Sequence, residues 1–203
     1  MQLAPGTWRL AGPVVAVGAV GLILSPLVGL VLILLGLGII WFHRDPERSS
    51  PDAGVLAPAD GTVTVLRTEQ EATGAERIRL GVFMNITDVH VNRAPVGGEI
   101  TTIEHVPGGH WPAFTKDAER NERAHIDIDQ FRVTLTAGTV ARRIHPHVSE
   151  ESNIERGERI GHVSFGSRAD VLLPERFELS DIEVAMGATV RAGESILAVD
   201  PGR

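Results

Sequence analysis

A run of 33 residues without a charged side chain, residues 10–42, most limits what this chain can fold into. As one straight helix the run would measure about 50 Å, whereas the hydrocarbon core of a bilayer is about 30 Å thick. Ser25-Pro26 lies in its middle, where proline removes a backbone donor and clashes with the preceding turn. The pattern therefore predicts a hydrophobic helical hairpin, with helices at roughly residues 10–24 and 27–42, that anchors the chain in a membrane.

Other interpretations of the same run stay open. One tilted and kinked span also fits its length. A cleaved signal peptide fits less well because the run far exceeds a typical signal-peptide core, and a buried core hairpin needs more surrounding protein than this chain provides. In a hairpin, the flanking bases Arg9, Arg44 and Arg48 all lie on one side of the bilayer, which the positive-inside tendency makes the cytoplasm.

The rest of the chain, residues 43–203, is acidic. All 26 acids lie here, against 18 of the 19 bases, a balance that argues against a nucleic-acid partner. The chain has no cysteine, which excludes a disulfide scaffold and thiol chemistry. We therefore expect two parts, a membrane-anchoring segment at residues 1–42 and one domain at residues 43–203 that is long enough to bury its own core.

Short runs of alternating apolar residues recur throughout this domain, with turn residues between them. The pattern is typical of a mainly β fold, a sandwich or barrel-sandwich, with one short helix near residues 112–122. Residues 57–63 and 186–198 look like the turn-plus-strand units of lipoyl-type domains. Strands are predicted at residues 62–67, 77–84, 100–106, 124–128, 131–136, 140–144, 160–165, 171–173, 182–186 and 195–199.

Three polar positions in the domain are candidates for chemistry, although each has an ordinary structural explanation. Gly166-Ser167 joins two predicted strands, where a Gly-Ser turn is common. Asp60 lies in Pro-Ala-Asp-Gly, and Asp-Gly favours a turn. His90 lies in a polar, irregular segment whose charged neighbours can tune its proton affinity.

His145 and His147 have the spacing of a metal-binding pair, since alternate residues of a strand face the same side. No third histidine nearby in the sequence completes a set of ligands. We therefore predict that the chain carries no metal site.

Six segments after the apolar run occur in an order found in a known family. They are Phe42-His43-Arg44-Asp45-Pro46, Pro58-Ala59-Asp60-Gly61, Asp88-Val89-His90-Val91-Asn92-Arg93-Ala94-Pro95, Asn121-Glu122-Arg123, Ala137-Gly138-Thr139-Val140-Ala141-Arg142-Arg143-Ile144 and Phe165-Gly166-Ser167-Arg168-Ala169-Asp170-Val171-Leu172-Leu173-Pro174. Over nearly its whole length the chain resembles the short-form phosphatidylserine decarboxylase proenzymes. In an archaeal host the corresponding enzyme is an archaetidylserine decarboxylase.

The resemblance implies an enzyme that processes itself. The Ser167 hydroxyl would attack the carbonyl of Gly166, and cleavage would leave residues 1–166 associated with a fragment of residues 167–203 that begins with a pyruvoyl group. His90 matches the base of the family, and Asp60 matches the carboxylate that orients this base.

The resemblance also implies the reaction. The pyruvoyl cofactor, derived from Ser167, would form a Schiff base with the amine of a serine phospholipid, and His90 would return a proton after carbon dioxide leaves. The product would be an ethanolamine phospholipid, and ester and archaeal ether lipids fit equally well. Longer bacterial forms have a second histidine where this chain has Arg93, so His90 would serve both steps. The expected ligands of the head group are Arg93, Arg142, Arg143 and Arg168.

A non-catalytic alternative is a membrane-tethered, lipoyl-like β module that acts as an adaptor. It predicts that the chain stays intact, whereas the decarboxylase interpretation predicts cleavage between residues 166 and 167. The decarboxylase interpretation also places the protein at the cell membrane, with its catalytic domain on the cytoplasmic side. A homodimer is left open.

Overall fold

The computed structural model of the protein describes residues 2–70, 74–109, 111–113, 120–138, 144–163 and 166–200. The chain separates into two compact units, Met1–Glu47 and Arg48–Arg203. The boundary lies a few residues after the one predicted at residue 42. The first unit contains the apolar run, and the second contains the predicted strands.

Two helices form most of the first unit, α1 at Thr7–Leu24 and α2 at Pro26–Phe42. They meet at Ser25, whose backbone is extended, with φ at −153°. Pro26 occupies the start of α2, where its missing N–H is not needed for a helical hydrogen bond. The predicted helical hairpin is confirmed, and proline begins its second helix.

Glycines let α1 and α2 pack closely. A methyl group added at Gly29 would overlap the backbone of Leu22, and one added at Gly18 would lie 2.9 Å from the Ile33 side chain. The outer surface is apolar, and Leu24 near the tip is 83% exposed. By length and composition α1 qualifies as a membrane span, and α2 is slightly shorter.

Short strands make up the framework of the second unit, and one further pair belongs to the first unit. Within the described residues the strands are β1 Gln2–Leu3 and β2 Arg44–Asp45 in the first unit, then β3 Val55–Leu56, β4 Gly61–Gln70, β5 Glu76–Phe83, β6 Val91–Arg93, β7 Gly98–Val106, β8 Arg123–Ile128, β9 Phe131–Thr136, β10 Ile144–Pro146, β11 Asn153–Ile154, β12 Arg159–Val163, β13 Arg168–Leu172, β14 Thr189–Val190 and β15 Ile196–Ala198.

Eight strands form one antiparallel sheet in the order β11-β7-β8-β9-β13-β5-β4-β14, which curls into a half-barrel. A second sheet has the order β10-β12-β6, and β15 pairs with β3. Strand β8 shows how the sequence builds the large sheet: Ala124 and Ile126 are buried in the core, while Arg123 and His125 lie on the opposite face. The predicted fold class, mainly β after an apolar helical hairpin, is confirmed.

The strand predicted at residues 182–186 is wrong. Only Ile182 forms a bridge there, to Ala198, after a short 3-10 helix at Leu179–Asp181. Within the segment, Glu183 N–H donates to the Leu197 carbonyl, and Gly187 N–H, one residue beyond it, donates to that of Val63. These isolated bonds take the place of a continuous ladder.

Strand β6 was not predicted, because all three of its residues are buried and its sequence shows no alternation of polar and apolar side chains. The short helix predicted near residues 112–122 and the strand predicted at 140–144 fall mostly outside the described residues. The two lipoyl-like segments come together, because β14 pairs with the beginning of β4.

Candidate active site

Neighbouring strands of the large sheet place the candidate residues at one edge. Phe83, the last residue of β5, pairs with Thr62 of β4 on one side and with Arg168 of β13 on the other. In antiparallel neighbours the end of one strand lies beside the start of the next. Asp60, just before β4, and Ser167, just before β13, are therefore brought to the same sheet edge.

Ser167 is fully buried at this edge. Its carbonyl oxygen accepts a 2.9 Å hydrogen bond from the backbone N–H of Met84, and its Oγ lies 4.0 Å from the Met84 Sδ. Successive residues of an extended chain face opposite ways, so Ser167 points away from the face that carries the Arg168 side chain. The hydroxyl is thus held on the side of the sheet where Met84 is buried.

Gly166 adopts the left-handed conformation, with φ at +65°. A methyl group added to it would meet no atom within 4 Å, so backbone conformation and not crowding favours glycine here. Gly61 at the start of β4 differs, because a methyl group there would overlap the Phe83 carbonyl oxygen.

His90 is 4% exposed and immediately precedes β6. Its Nδ1 lies 3.0 Å from the carbonyl oxygen of Asp88. A carbonyl oxygen only accepts, so we assign the ring proton to Nδ1, which leaves the lone pair of the neutral ring on Nε2. The His90 carbonyl accepts a hydrogen bond from Val163 N–H, which ties this segment to the strand that leads toward Ser167.

Asn92 and Met84 connect the His90 segment to Ser167. The Asn92 side-chain amide lies 3.6 Å from Met84 Sδ and 3.4 Å from the Pro58 carbonyl oxygen. The Asn92 side chain therefore faces this thioether, two residues after His90 in the chain. The sequence did not predict either contact. Asn92 belongs to the family motif at residues 88–95, whereas Met84 belongs to no motif.

The Asp60 carboxylate is held by other partners than expected. Arg48 donates to both of its oxygens, at 2.7 and 3.0 Å, and Ala192 N–H donates at 2.8 Å. Arg48 also reaches Glu194, at 3.0 Å. Within the described residues no hydrogen bond joins Asp60 to His90, so its orienting role stays a prediction. The sequence marked Arg48 only as one of the bases that flank the apolar run.

Two of the four predicted head-group arginines can be placed. Arg93 is 6% exposed and donates to the Gly157 carbonyl oxygen at 2.9 Å. Arg168 is 8% exposed and binds both Asp170 oxygens, at 2.6 and 2.9 Å. Both therefore have structural partners, and their role toward substrate stays a prediction. Arg142 and Arg143 lie outside the described residues.

Asn121 supports the neighbouring strand end. It is 1% exposed, and its side-chain amide donates to the carbonyl oxygens of Trp111 and Ala137 while accepting from Trp111 N–H. Ala137 follows β9, the strand beside β13. The asparagine of the Asn-Glu-Arg motif thus fastens a loop to the same edge of the sheet as Ser167.

A third histidine joins the pair noted in the sequence. His145 stacks on His162 with ring centroids 4.7 Å apart, and His147 Nε2 lies 2.9 Å from His162 Nδ1. Sequence reasoning missed His162 because it lies on the partner strand β12. Within the described ranges, no group of three or more His, Asp or Glu side chains is arranged to hold a metal ion.

Comparisons with known proteins give the family of the chain. The family profile described as phosphatidylserine decarboxylase matches residues 35–198. A protein of Halobacterium salinarum, provisionally named an archaetidylserine decarboxylase proenzyme, is 50% identical over 96% of this chain and 97% of its own length. The phosphatidylserine decarboxylase proenzyme of Streptomyces griseus is 44% identical over 78% of this chain and 73% of its own. The chain belongs to the phosphatidylserine decarboxylase family.

Proposed function

We propose that this decarboxylase processes itself at Gly166-Ser167 and uses the resulting pyruvoyl group to decarboxylate a serine phospholipid. The placement of Ser167 carries the proposal. Ser167 is buried, it follows a glycine with a positive φ, and Met84 connects it to the segment that contains His90. A serine in an ordinary surface turn would not be fully buried in this way.

In the proposed processing step, Ser167 Oγ attacks the carbonyl carbon of Gly166. The hydroxyl proton passes to a base, the bond from Gly166 C to Ser167 N breaks, and an ester forms while the freed nitrogen takes a proton. Loss of the Ser167 Cα proton then expels the Gly166 carboxylate. Water finally replaces the nitrogen, which leaves as ammonia, so that residues 167–203 begin with a pyruvoyl group.

His90 is the proposed base. A serine hydroxyl is a weak nucleophile until its proton is removed. The Asp88 carbonyl holds the Nδ1 proton of His90, which leaves Nε2 to accept the proton from Ser167. Asp60 is proposed as a positioning residue: through Arg48 and Ala192 its carboxylate fixes the beginning of β4, beside the strand end that carries Met84.

The residues around position 167 fit a pyruvoyl group, which supplies an electron sink for decarboxylation. Processing leaves the carbonyl of residue 167 in place, and Met84 N–H already donates to that oxygen. Processing removes the Ser167 Oγ, and the Met84 thioether lies beside this atom. The surroundings of the pyruvoyl methyl group would therefore be apolar and shielded from water. His90 is the proposed donor of the proton that replaces carbon dioxide.

The proposed substrate is a serine phospholipid, as the names of the relatives suggest for those proteins. The hairpin would place the enzyme at a membrane, where such a lipid resides, because α1 has the length and composition of a span. Arg9 and Arg44 at its ends favour the cytoplasmic side. Arg93, Arg142 and Arg143 remain the proposed ligands of the head group, whereas Arg168, predicted as a fourth, lies on the face of the sheet opposite the Ser167 hydroxyl.

Release of labelled carbon dioxide tests this function. The full-length protein in detergent micelles is given phosphatidylserine with a 14C-labelled carboxylate, and in parallel an archaeal-type diether lipid with the same head group. We expect labelled carbon dioxide and an ethanolamine lipid from at least one of the two. Borohydride, which reduces the pyruvoyl ketone, should abolish the activity.

Matched serine variants make the assay specific. Ser167→Ala should release no label, whereas Ser152→Ala should keep full activity because Ser152 only donates to the Ser149 carbonyl at the surface. Activity in Ser167→Ala equal to that of the unmodified protein would refute the proposal. An intact, inactive wild-type chain would favour the adaptor alternative.

A further inference from the structure

A polar pocket of about 290 Å³ lies on the face of the large sheet that faces away from the apolar core. Four arginines, two acids, His125 and two threonines line it, and they come from β4, β5, β8, β9 and β13. Ser167 and Arg168 are adjacent and point to opposite faces of the sheet, so this pocket is separate from the surroundings of the Ser167 hydroxyl. We call it the arginine pocket.

Three of the four arginines share the two acids. Glu69 accepts from Arg67 and Arg79. Asp170 binds Arg168 through both oxygens and lies 3.6 Å from Arg79. Each carboxylate therefore already serves two guanidinium groups. The positive charges of the pocket exceed the negative ones by two, because the fourth arginine adds a further cation.

That fourth arginine, Arg123, makes no ion pair with any residue that the structure describes. Its Nε is buried and has no hydrogen-bond partner within the described residues, and the same is true of the Thr136 Oγ1. Thr136 is 1% exposed and lies directly opposite Arg123 across β8 and β9. Buried polar groups are normally satisfied, so two unsatisfied neighbours in a cationic pocket call for an acceptor.

His125 reports the positive potential of the same pocket. Burial, followed by the charges of Arg132 and Arg123, lowers the pKa of this histidine. Its Nδ1 lies 2.8 Å from the Thr134 Oγ1. The imidazole therefore carries less positive charge near pH 7 than an ordinary histidine, and the positive charge of the pocket comes from its arginines.

We propose that the arginine pocket binds a phosphate group, held by Arg123 and the Thr136 hydroxyl. A phosphate offers several acceptor oxygens, which match a guanidinium and a hydroxyl that lack partners. The net charge of the pocket favours a dianion over a neutral ligand. This inference does not depend on the processing of Ser167. Free phosphate and a phospholipid head group share the relevant chemistry, and the test separates them.

Calorimetry on the full-length protein in a non-phospholipid detergent tests the proposal, with inorganic phosphate as one titrant and glycerophosphoserine as the other. We expect one saturable site for phosphate. Arg123→Gln should weaken it about tenfold or more, as expected for the loss of a charge-assisted hydrogen bond. Tighter binding of glycerophosphoserine would identify a lipid head group as the source, and binding of phosphate alone would identify the free anion.

Two further variants complete the test. Thr136→Val keeps the shape of the side chain and should weaken phosphate binding even if Arg123→Gln folds poorly. Arg176→Gln is the matched control, because it removes a positive charge that pairs with Asp200 outside the pocket, and it should leave affinity within about twofold. The NMR titration of His125 should move to higher pH when phosphate is bound. No saturable phosphate binding in the wild type, or unchanged affinity in both pocket variants, would overturn the proposal.

Discussion

Met84 contacts Ser167 through both its backbone and its side chain. Its N–H donates a 2.9 Å hydrogen bond to the Ser167 carbonyl, and its Sδ lies 4.0 Å from the Ser167 Oγ. The same sulfur lies 3.6 Å from the amide of Asn92, two residues after His90. Met84, the residue after β5, thus positions the proposed nucleophile, Ser167, and contacts the segment that contains the proposed base, His90.

Shortening Met84 should disturb this arrangement. Met84 is fully buried, so Met84→Ala should lower the free energy of unfolding by about 2 to 5 kcal/mol and slow the cleavage at Ser167. Met84→Leu keeps the volume and should cost less than about 1.5 kcal/mol with near-normal cleavage. Urea unfolding and gel analysis of cleavage measure the two effects. A stable but uncleaved Met84→Leu protein would show that the sulfur itself is required.

His90→Ala should slow cleavage at Ser167 by about 10² to 10⁴-fold, because the base that accepts the hydroxyl proton is lost. The time course of fragment appearance after synthesis in a cell-free system gives the rate. His105→Ala is the control, since the His105 side chain is 54% exposed on β7 and faces Glu122. Cleavage of His90→Ala at the wild-type rate would remove His90 from the processing step.

Asp60→Asn tests a positioning role. The Arg48 side chain is 8% exposed, so the substitution leaves its charge without one of two carboxylate partners. We expect a loss of about 3 kcal/mol in the free energy of unfolding, with slower cleavage. Arg48→Met should slow cleavage to a similar degree if Asp60 acts through the beginning of β4. Normal cleavage in Arg48→Met together with blocked cleavage in Asp60→Asn would instead indicate a direct action of Asp60 on His90.

His125 should make the folded protein sensitive to mild acid. Its pKa is lowered in the fold, first by burial and then by Arg132 and Arg123, whereas the unfolded chain has the ordinary value of about 6.5. Below that pH the unfolded chain binds a proton that the folded protein accepts less readily, so stability falls as the pH falls toward the folded pKa. His125→Gln should flatten this dependence in urea unfolding between about pH 7 and 5. An unchanged slope would contradict the assignment.

The sequence predicted the elements whose pattern is local. Alternation in β8 and the proline between α1 and α2 both depend on residues that are close along the chain, and both predictions are confirmed. Motifs marked Ser167 and His90 as candidate catalytic residues, and their roles stay predictions. The contacts that the sequence did not predict join residues from different elements, Arg48 with Asp60 and Met84 with Ser167. Nothing in a single strand indicates which buried side chain will face it across the sheet.

The polar face of the sheet was missed for a related reason. Arg123 belongs to the Asn-Glu-Arg motif. Its Nε, which lacks a partner among the described residues, indicates a ligand site only together with Thr136 on the next strand. The predicted strand at residues 182–186 was wrong because single bonds, from Glu183 to Leu197 and from the following Gly187 to Val63, replaced a ladder. Residue type suggested the chemistry, and the register between strands decided which side chains meet.

The mass of the purified polypeptide tests the central claim most directly. Self-processing predicts two fragments, residues 1–166 and residues 167–203, with the smaller one lighter than the unmodified peptide because its first residue is a pyruvoyl group and blocked to Edman degradation. Ser167→Ala should give one chain of 203 residues. A wild-type chain that stays at the full 21.8 kDa after prolonged incubation, while folded, would contradict the account.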